Sequence, residues 1–180
     1  MFKEIIIRIA KAFKENNITY IIIGGQAVLL YGEPRLTRDI DIILGLSIDS
    51  LDKIIKLVEK EGFKPIPEHI SNFVKETFVL PVIEPVSKIR IDLIFSFSTF
   101  EQQAIKRARK VNFDGVKVNF VSLEDLIVFK IFSARARDIE DVRILLVKNK
   151  NIDRNYIKKT LKELSNTKRD LLKIYKRLFK

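Results

Sequence analysis

Ile18-Thr19-Tyr20-Ile21-Ile22-Ile23 runs into Gly24-Gly25, and fourteen residues beyond the second glycine stands Asp39-Ile40-Asp41-Ile42-Ile43-Leu44. The first run is apolar and β-branched, which predicts a buried strand. The glycine pair breaks it, Gln26 to Tyr31 has the length of one or two helical turns, and Gly32-Glu33-Pro34 reads as a loop. Asp39 to Leu44 is a second strand. Side chains alternate along a strand, so Asp39 and Asp41 leave one face, roughly 6.5–7 Å apart at their Cα atoms. Two carboxylates so placed can share a pair of divalent cations.

Outward from this centre, Phe2 to Asn16 is amphipathic, with Ile5, Ile6, Ile9 and Phe13 on one helical face. Ser50 to Glu61 reads as a helix capped by Ser50 and closed by Gly62. Phe73 to Leu80 and Lys88 to Phe95 read as strands, and Thr99 caps a helix running to about Arg109. Val111 to Val121 resembles a hairpin turning at Asp114-Gly115. Ser122-Leu123-Glu124-Asp125 has the capping-box pattern. Helices follow at Leu123 to Phe132 and at about Ile139 to Val147, Arg154 to Leu164 and Lys168 to Leu178. The pattern is an α+β fold, a mixed unit over residues 1–121 followed by a helical region over 122–180.

Asp92 stands among the apolar Ile89, Ile91, Leu93, Ile94 and Phe95, where an unpaired carboxylate is costly to bury. It is accounted for if it meets Asp39 and Asp41 across the sheet and a metal neutralises all three. The plainer alternative puts Asp39 and Asp41 on a solvated edge strand and pairs Asp92 with Arg90 or Lys88. Gly24-Gly25 is likewise either an ordinary turn or a place where backbone approaches a phosphate ahead of a helix N-terminus. It is neither a Walker loop nor a Rossmann fingerprint.

The 180 residues contain no cysteine, which excludes disulfides, thiolate chemistry and Cys-based zinc sites, and His69 is the sole histidine. No segment reads as a signal peptide or membrane span, which places the protein in the cytoplasm and away from membranes. The richness in Ile, Lys and Glu leans towards a thermophile. The net charge of +11 is uneven: Arg143 to Lys180 holds thirteen Lys or Arg against three acidic residues, leaving about +1 for the rest. The basic character belongs to the tail.

Gly24-Gly25-Gln26-Ala27, Tyr31-Gly32 and Arg35-Leu36-Thr37-Arg38-Asp39-Ile40-Asp41 together resemble the signature of the DNA polymerase β-like nucleotidyltransferase superfamily. The likeness is to its small prokaryotic branch, which includes abortive-infection toxins. Ile91-Asp92-Leu93 matches the family's third acidic element, and the likeness continues through Leu123 to Lys130 and Arg135 to Asp141. It spans about residues 18 to 146. One departure is Gly25, followed by Gln26, where many members carry Ser; backbone amides or Gln26 then stand in for the hydroxyl.

The resemblance implies a mixed sheet with helices on one face and a helical bundle closing a cleft. It implies attack by an acceptor hydroxyl, or by a phosphate, on the α-phosphorus of a nucleoside triphosphate, with pyrophosphate released. Asp39, Asp41 and Asp92 would be catalytic and hold two Mg2+ ions, with Mn2+ as a substitute. Gly24, Gly25, Gln26, Arg35, Thr37, Lys130 and Asp138 would bind the nucleotide. For Lys130 the residues leave open a snorkelling lysine at the edge of an apolar stripe, and for Asp138 a helix cap. Arg135 and Arg137 contact phosphate or pair with Glu140 and Asp141. RNA is the favoured acceptor because of the basic tail. A small molecule or protein is the second hypothesis, and a non-catalytic nucleotide- or nucleic-acid-binding protein the third. The toxin-like branch implies a cognate antitoxin protein as a further partner.

Overall fold

The computed structural model describes residues 1–34, 36–165 and 170–179. They fall into two compact units: Met1–Gln26 with Leu36–Val121, and Ala27–Arg35 with Ser122–Lys180. The first is built on a seven-stranded mixed sheet, the second on helices, so the chain is α+β. Among the described residues no helix is long and apolar enough to cross a membrane.

In the first unit α1 (Phe2–Glu15) buries Ile5, Ile6, Ile9 and Phe13, the apolar face read from its spacing. Asn17 takes a left-handed φ of 53° and turns the chain into β1 (Tyr20–Ile22). α2 (Gly24–Tyr31) follows, with the glycine pair inside its first turn rather than ahead of it; residues 24–26 belong to this unit and 27–31 to the second. β2 (Asp39–Leu44) leads through a 3₁₀ turn into α3 (Leu51–Lys60), where Ser50 holds the cap position without a side-chain hydrogen bond. The short β3 (Lys64–Pro65), α4 (Ile70–Thr77), β4 (Val79–Ile83) and β5 (Arg90–Phe95) come next. α5 (Thr99–Lys106) and the hairpin β6 (Arg109–Phe113) and β7 (Val116–Phe120) complete the unit.

The sheet order is β3-β4-β5-β2-β1-β7-β6. β2 runs parallel to β5 and β1 parallel to β7, while the other neighbours are antiparallel. The hairpin turns at Asp114-Gly115, both with positive φ (49° and 85°), as a two-residue Asp-Gly turn demands.

Two sequence expectations change here. Phe73 to Leu80 is not one strand: residues 70–77 are helical, with Ile70 and Val74 one turn apart and Val74 fully buried. The helix stops at Phe78, whose φ of 58° closes it, and only then does the strand begin. The cap of α5 is Ser98 rather than Thr99. The Ser98 hydroxyl accepts from the Glu101 amide, and Glu101 reaches back to the Ser98 amide at 2.9 Å, a complete capping box.

The second unit contains α6 (Leu123–Ser133), α7 (Ala136–Lys148), α8 (Arg154–Leu164) and α9 (Leu171–Leu178). Ser122 caps α6 by accepting from the Asp125 amide, and the Tyr156 hydroxyl of α8 donates to Asp125 at 2.6 Å. Asn149 donates to the Tyr31 carbonyl at 2.9 Å, and Lys148 pairs with Glu33, tying the end of α7 to the segment after α2. Lys168, where the last helix was expected to begin, lies outside the described residues.

Candidate active site

The parallel register of β2 with β5 sets Asp41 directly beside Asp92 and Asp39 beside Arg90. Adjacent strands lie about 4.8 Å apart, so residues in register share a face. Asp39, Asp41 and Asp92 are all half-buried, whereas the intervening Ile40, Ile42, Ile91 and Leu93 are buried on the opposite side. β2 lies between β5 and β1 inside the sheet, so the aspartates are not on an edge strand. The other half of the plainer alternative is present: Arg90 Nε donates to Asp92 Oδ1 at 2.7 Å, with Arg90 52% and Asp92 18% exposed. The Thr37 hydroxyl donates to Asp39 Oδ1 at 3.1 Å and orients that carboxylate from the preceding loop.

The glycine loop meets the same face. The Ile23 amide donates to the Asp41 carbonyl at 2.9 Å, bringing the end of β1 alongside Asp41. Gly24 follows with φ +62°, and a Cβ built on it would overlap Asp41 Oδ2. A side chain is therefore excluded there by contact as well as by backbone conformation. Gly24, Gly25 and Gln26 form the first turn of α2, where helix amides have no intrahelical acceptor. Gln26 is only 8% exposed, and its Nε2 has no hydrogen-bond partner. An amide donor so placed has an unmet need that a ligand oxygen would satisfy.

A hard divalent cation suits three carboxylates on one face with no soft ligand nearby. Among the described residues no three His, Cys, Asp or Glu side chains are already gathered around one point. Asp92 Oδ1 is engaged by Arg90, whose place a cation would take. The residues fit the group, with that exchange as the condition.

In the second unit Lys130 is buried, 6% exposed, with Nζ 2.9 Å from Asp138 Oδ1 and 2.7 Å from Asp141 Oδ2. Arg135 Nε donates to Asp138 Oδ2 at 2.7 Å. Asp138 is not the cap of α7; Arg135 holds that position, and Asp138 lies in the first turn facing α6. Burial raises the Asp138 pKa, but the hydrogen bonds from Arg135 and Lys130, the Lys130 charge and the Ser133 hydroxyl together bring it down to about 2. To reach a triphosphate, the Lys130 ammonium would have to leave two carboxylates in a buried setting, a costly exchange.

The structure thus gathers Asp39, Asp41, Asp92, Thr37, Gly24, Gly25 and Gln26 within the first unit, and Lys130 and Asp138 into a network in the second. Arg35 lies outside the described residues. The sequence offered Arg90 only as an ion-pair partner of Asp92, and Asp141 only as a partner of Arg135 or Arg137, not as Lys130's. Arg90 stands two before Asp92, the spacing that puts both on one strand face. Asp138-x-x-Asp141 is the spacing that puts both on one helix face.

Residues 2–176 match the model of a family described as "Nucleotidyltransferase of unknown function (DUF6036)". Among curated proteins, none matches this sequence. Among solved structures, an antigenic nucleotidyltransferase-like protein from Paracoccidioides brasiliensis is similar at 18% identity and TM-score 0.55, over 97% of this chain and 91% of that one. The lincosamide antibiotic adenylyltransferase LnuA, with lincomycin bound, is similar at 18% identity and TM-score 0.54, over 78% and 94%. ANT(2")-Ia in complex with adenylyl-2"-tobramycin is similar at 19% identity and TM-score 0.55, over 81% and 87%. At these identities the likeness is one of fold.

Proposed function

From the premise that this chain belongs to that nucleotidyltransferase family, we propose that Asp39, Asp41 and Asp92 are its catalytic carboxylates. The register pairing of Asp41 with Asp92 carries the reading, because it brings distant stretches of sequence together on one open face. The reaction is transfer of a nucleoside monophosphate. An acceptor hydroxyl oxygen forms a bond to the α-phosphorus, the bond from that phosphorus to the bridging oxygen of the pyrophosphate breaks, and pyrophosphate leaves. Asp92 takes the hydroxyl proton, and the first turn of α2 with Gln26 Nε2 holds phosphate oxygens. Asp39, Asp41 and Asp92 would hold divalent cations, magnesium first and two in number. When bound, such ions neutralise phosphate charge and stabilise the attacking and leaving oxygens together. Lys130 and Asp138 enter as the buried brace between α6 and α7.

RNA is the favoured acceptor. Lys158, Lys159 and Lys162 on α8 and Lys173, Lys176 and Arg177 on α9 are exposed, while Ile157, Leu161 and Leu171 are buried. A cellular RNA so modified would be disabled, a toxin-like outcome that a cognate antitoxin protein would restrain. The adenylylated antibiotic in one fold relative favours a small-molecule acceptor as the second reading. The test is incubation with each α-labelled nucleoside triphosphate, Mg2+ and total RNA, alongside RNA binding across a salt series. Label entering RNA, with log affinity falling linearly in log salt, supports the reading. Label confined to small molecules, with salt-independent RNA binding, moves the acceptor to the second class.

A further inference from the structure

We infer that Arg90 is a positioning residue that occupies the third carboxylate in the cation-free protein and yields it when a divalent cation binds. The inference rests on the reading of Asp39, Asp41 and Asp92 as the cation-holding set. Arg90 is in register with Asp39 and ion-paired to Asp92, which is in register with Asp41. Its guanidinium therefore belongs to the same sheet face as all three carboxylates.

Three half-buried carboxylates on neighbouring strands repel one another, and without a counter-charge their shared ionisation destabilises the fold. Arg90 supplies that counter-charge within the strand pair. Two features suit it to a temporary place. Arg90 is half exposed, so a free guanidinium regains water readily, and the single 2.7 Å contact through Nε is not the two-pronged pairing that makes Arg–carboxylate bonds hard to break. By contrast, Lys130 is enclosed and held by two carboxylates. The arrangement makes Asp92 exchangeable while leaving Asp39 on its Thr37 hydrogen bond. The cation and Arg90 then compete for one carboxylate.

The competition is read by Mn2+ binding to the nucleotide-free protein, followed by calorimetry and by the electron paramagnetic resonance signal of free Mn2+. Arg90→Gln is expected to bind Mn2+ about fivefold more tightly, equivalent to about 1 kcal/mol of lost ion pairing. The gain comes through Asp92, so Arg90→Gln in an Asp92→Asn background is expected to change affinity by less than about twofold. Equal or weaker Mn2+ affinity in a folded Arg90→Gln protein overturns the inference. An undiminished gain in the Asp92→Asn background also overturns it, because the arginine would then act only as a distant positive charge. Mn2+ binding that survives Asp41→Asn unchanged sinks the cation reading of the site itself, a separate outcome from the first two.

Discussion

Asp39-Ile40-Asp41 and Asp138-Ile139-Glu140-Asp141 each set two carboxylates on one face of an element, yet the fold treats them in opposite ways. The helical pair is enclosed, with Lys130 between its two members and Arg135 across the outer oxygen. The strand pair is half-buried rather than enclosed, and gains from β5 a third carboxylate, Asp92, which Arg90 meets. A network whose charges are matched and whose hydrogen bonds are filled stabilises the fold and offers nothing to a ligand. On the proposed reading, the carboxylate face beside the unfilled Gln26 donor is completed by a cation and a phosphate. Residue type does not separate the two regions; neutralisation does.

The contrast breaks most visibly under substitution of each centre. Asp41→Asn is expected to lower transfer by at least about a thousandfold, about 4 kcal/mol of barrier, while its thermal midpoint stays level or rises as repulsion is relieved. Labelled-nucleotide transfer alongside a thermal melt checks both halves. Lys130→Met is expected to do the reverse, removing about 3 kcal/mol or more of stability by leaving two buried carboxylates unpaired. Urea unfolding measures it, and a midpoint equal to wild type would place Lys130 outside the brace.

Acid sharpens the comparison. The folded pKa of Asp138, about 2, lies below its ordinary 3.8, so its contribution is fully present above pH 3.8 and is lost as pH falls through 2. Asp138→Asn is therefore expected to be less stable than wild type by about 2 kcal/mol at neutral pH, with the difference closing between pH 4 and pH 2. A difference that stays constant over that range would assign the loss to shape rather than charge. Gly24→Ala should cost about 1–2 kcal/mol of stability from its left-handed backbone, and displace Asp41, which the new methyl would overlap. A fall in transfer larger than the fall in stability marks the carboxylate's displacement.

The local features were legible because they follow from short-range chemistry. The Asp-Gly hairpin, the Ser122 cap, the apolar stripe of α1 and the spacing of Asp39 and Asp41 can all be read within a few residues. Residues 70–77 were not, because the apolar pairs Phe73-Val74 and Phe78-Val79, split by Lys75-Glu76-Thr77, suit either period, and the left-handed stop at Phe78 has no glycine to announce it. Asp92 was a candidate from its apolar surroundings, but its register with Asp41 is a property of the sheet order, which places β5 beside β2 across some fifty residues of chain. Lys130 was singled out for a helix face, yet its partners arrive from the next helix, eight and eleven residues on, beyond the reach of any within-helix pattern. Long-range pairing decides which carboxylates are enclosed and which are open.

The central claim, that the open face of β2 and β5 is the nucleotidyl-transfer centre, is tested most directly by anomalous diffraction from crystals soaked with Mn2+ and a non-hydrolysable nucleoside triphosphate. The expected result is Mn2+ within coordinating distance of Asp39, Asp41 and Asp92, with Arg90 withdrawn from Asp92 and phosphate oxygens against the first turn of α2. Anomalous peaks elsewhere on the protein, with the Arg90–Asp92 pair intact and the nucleotide away from Gly24-Gly25, would contradict it.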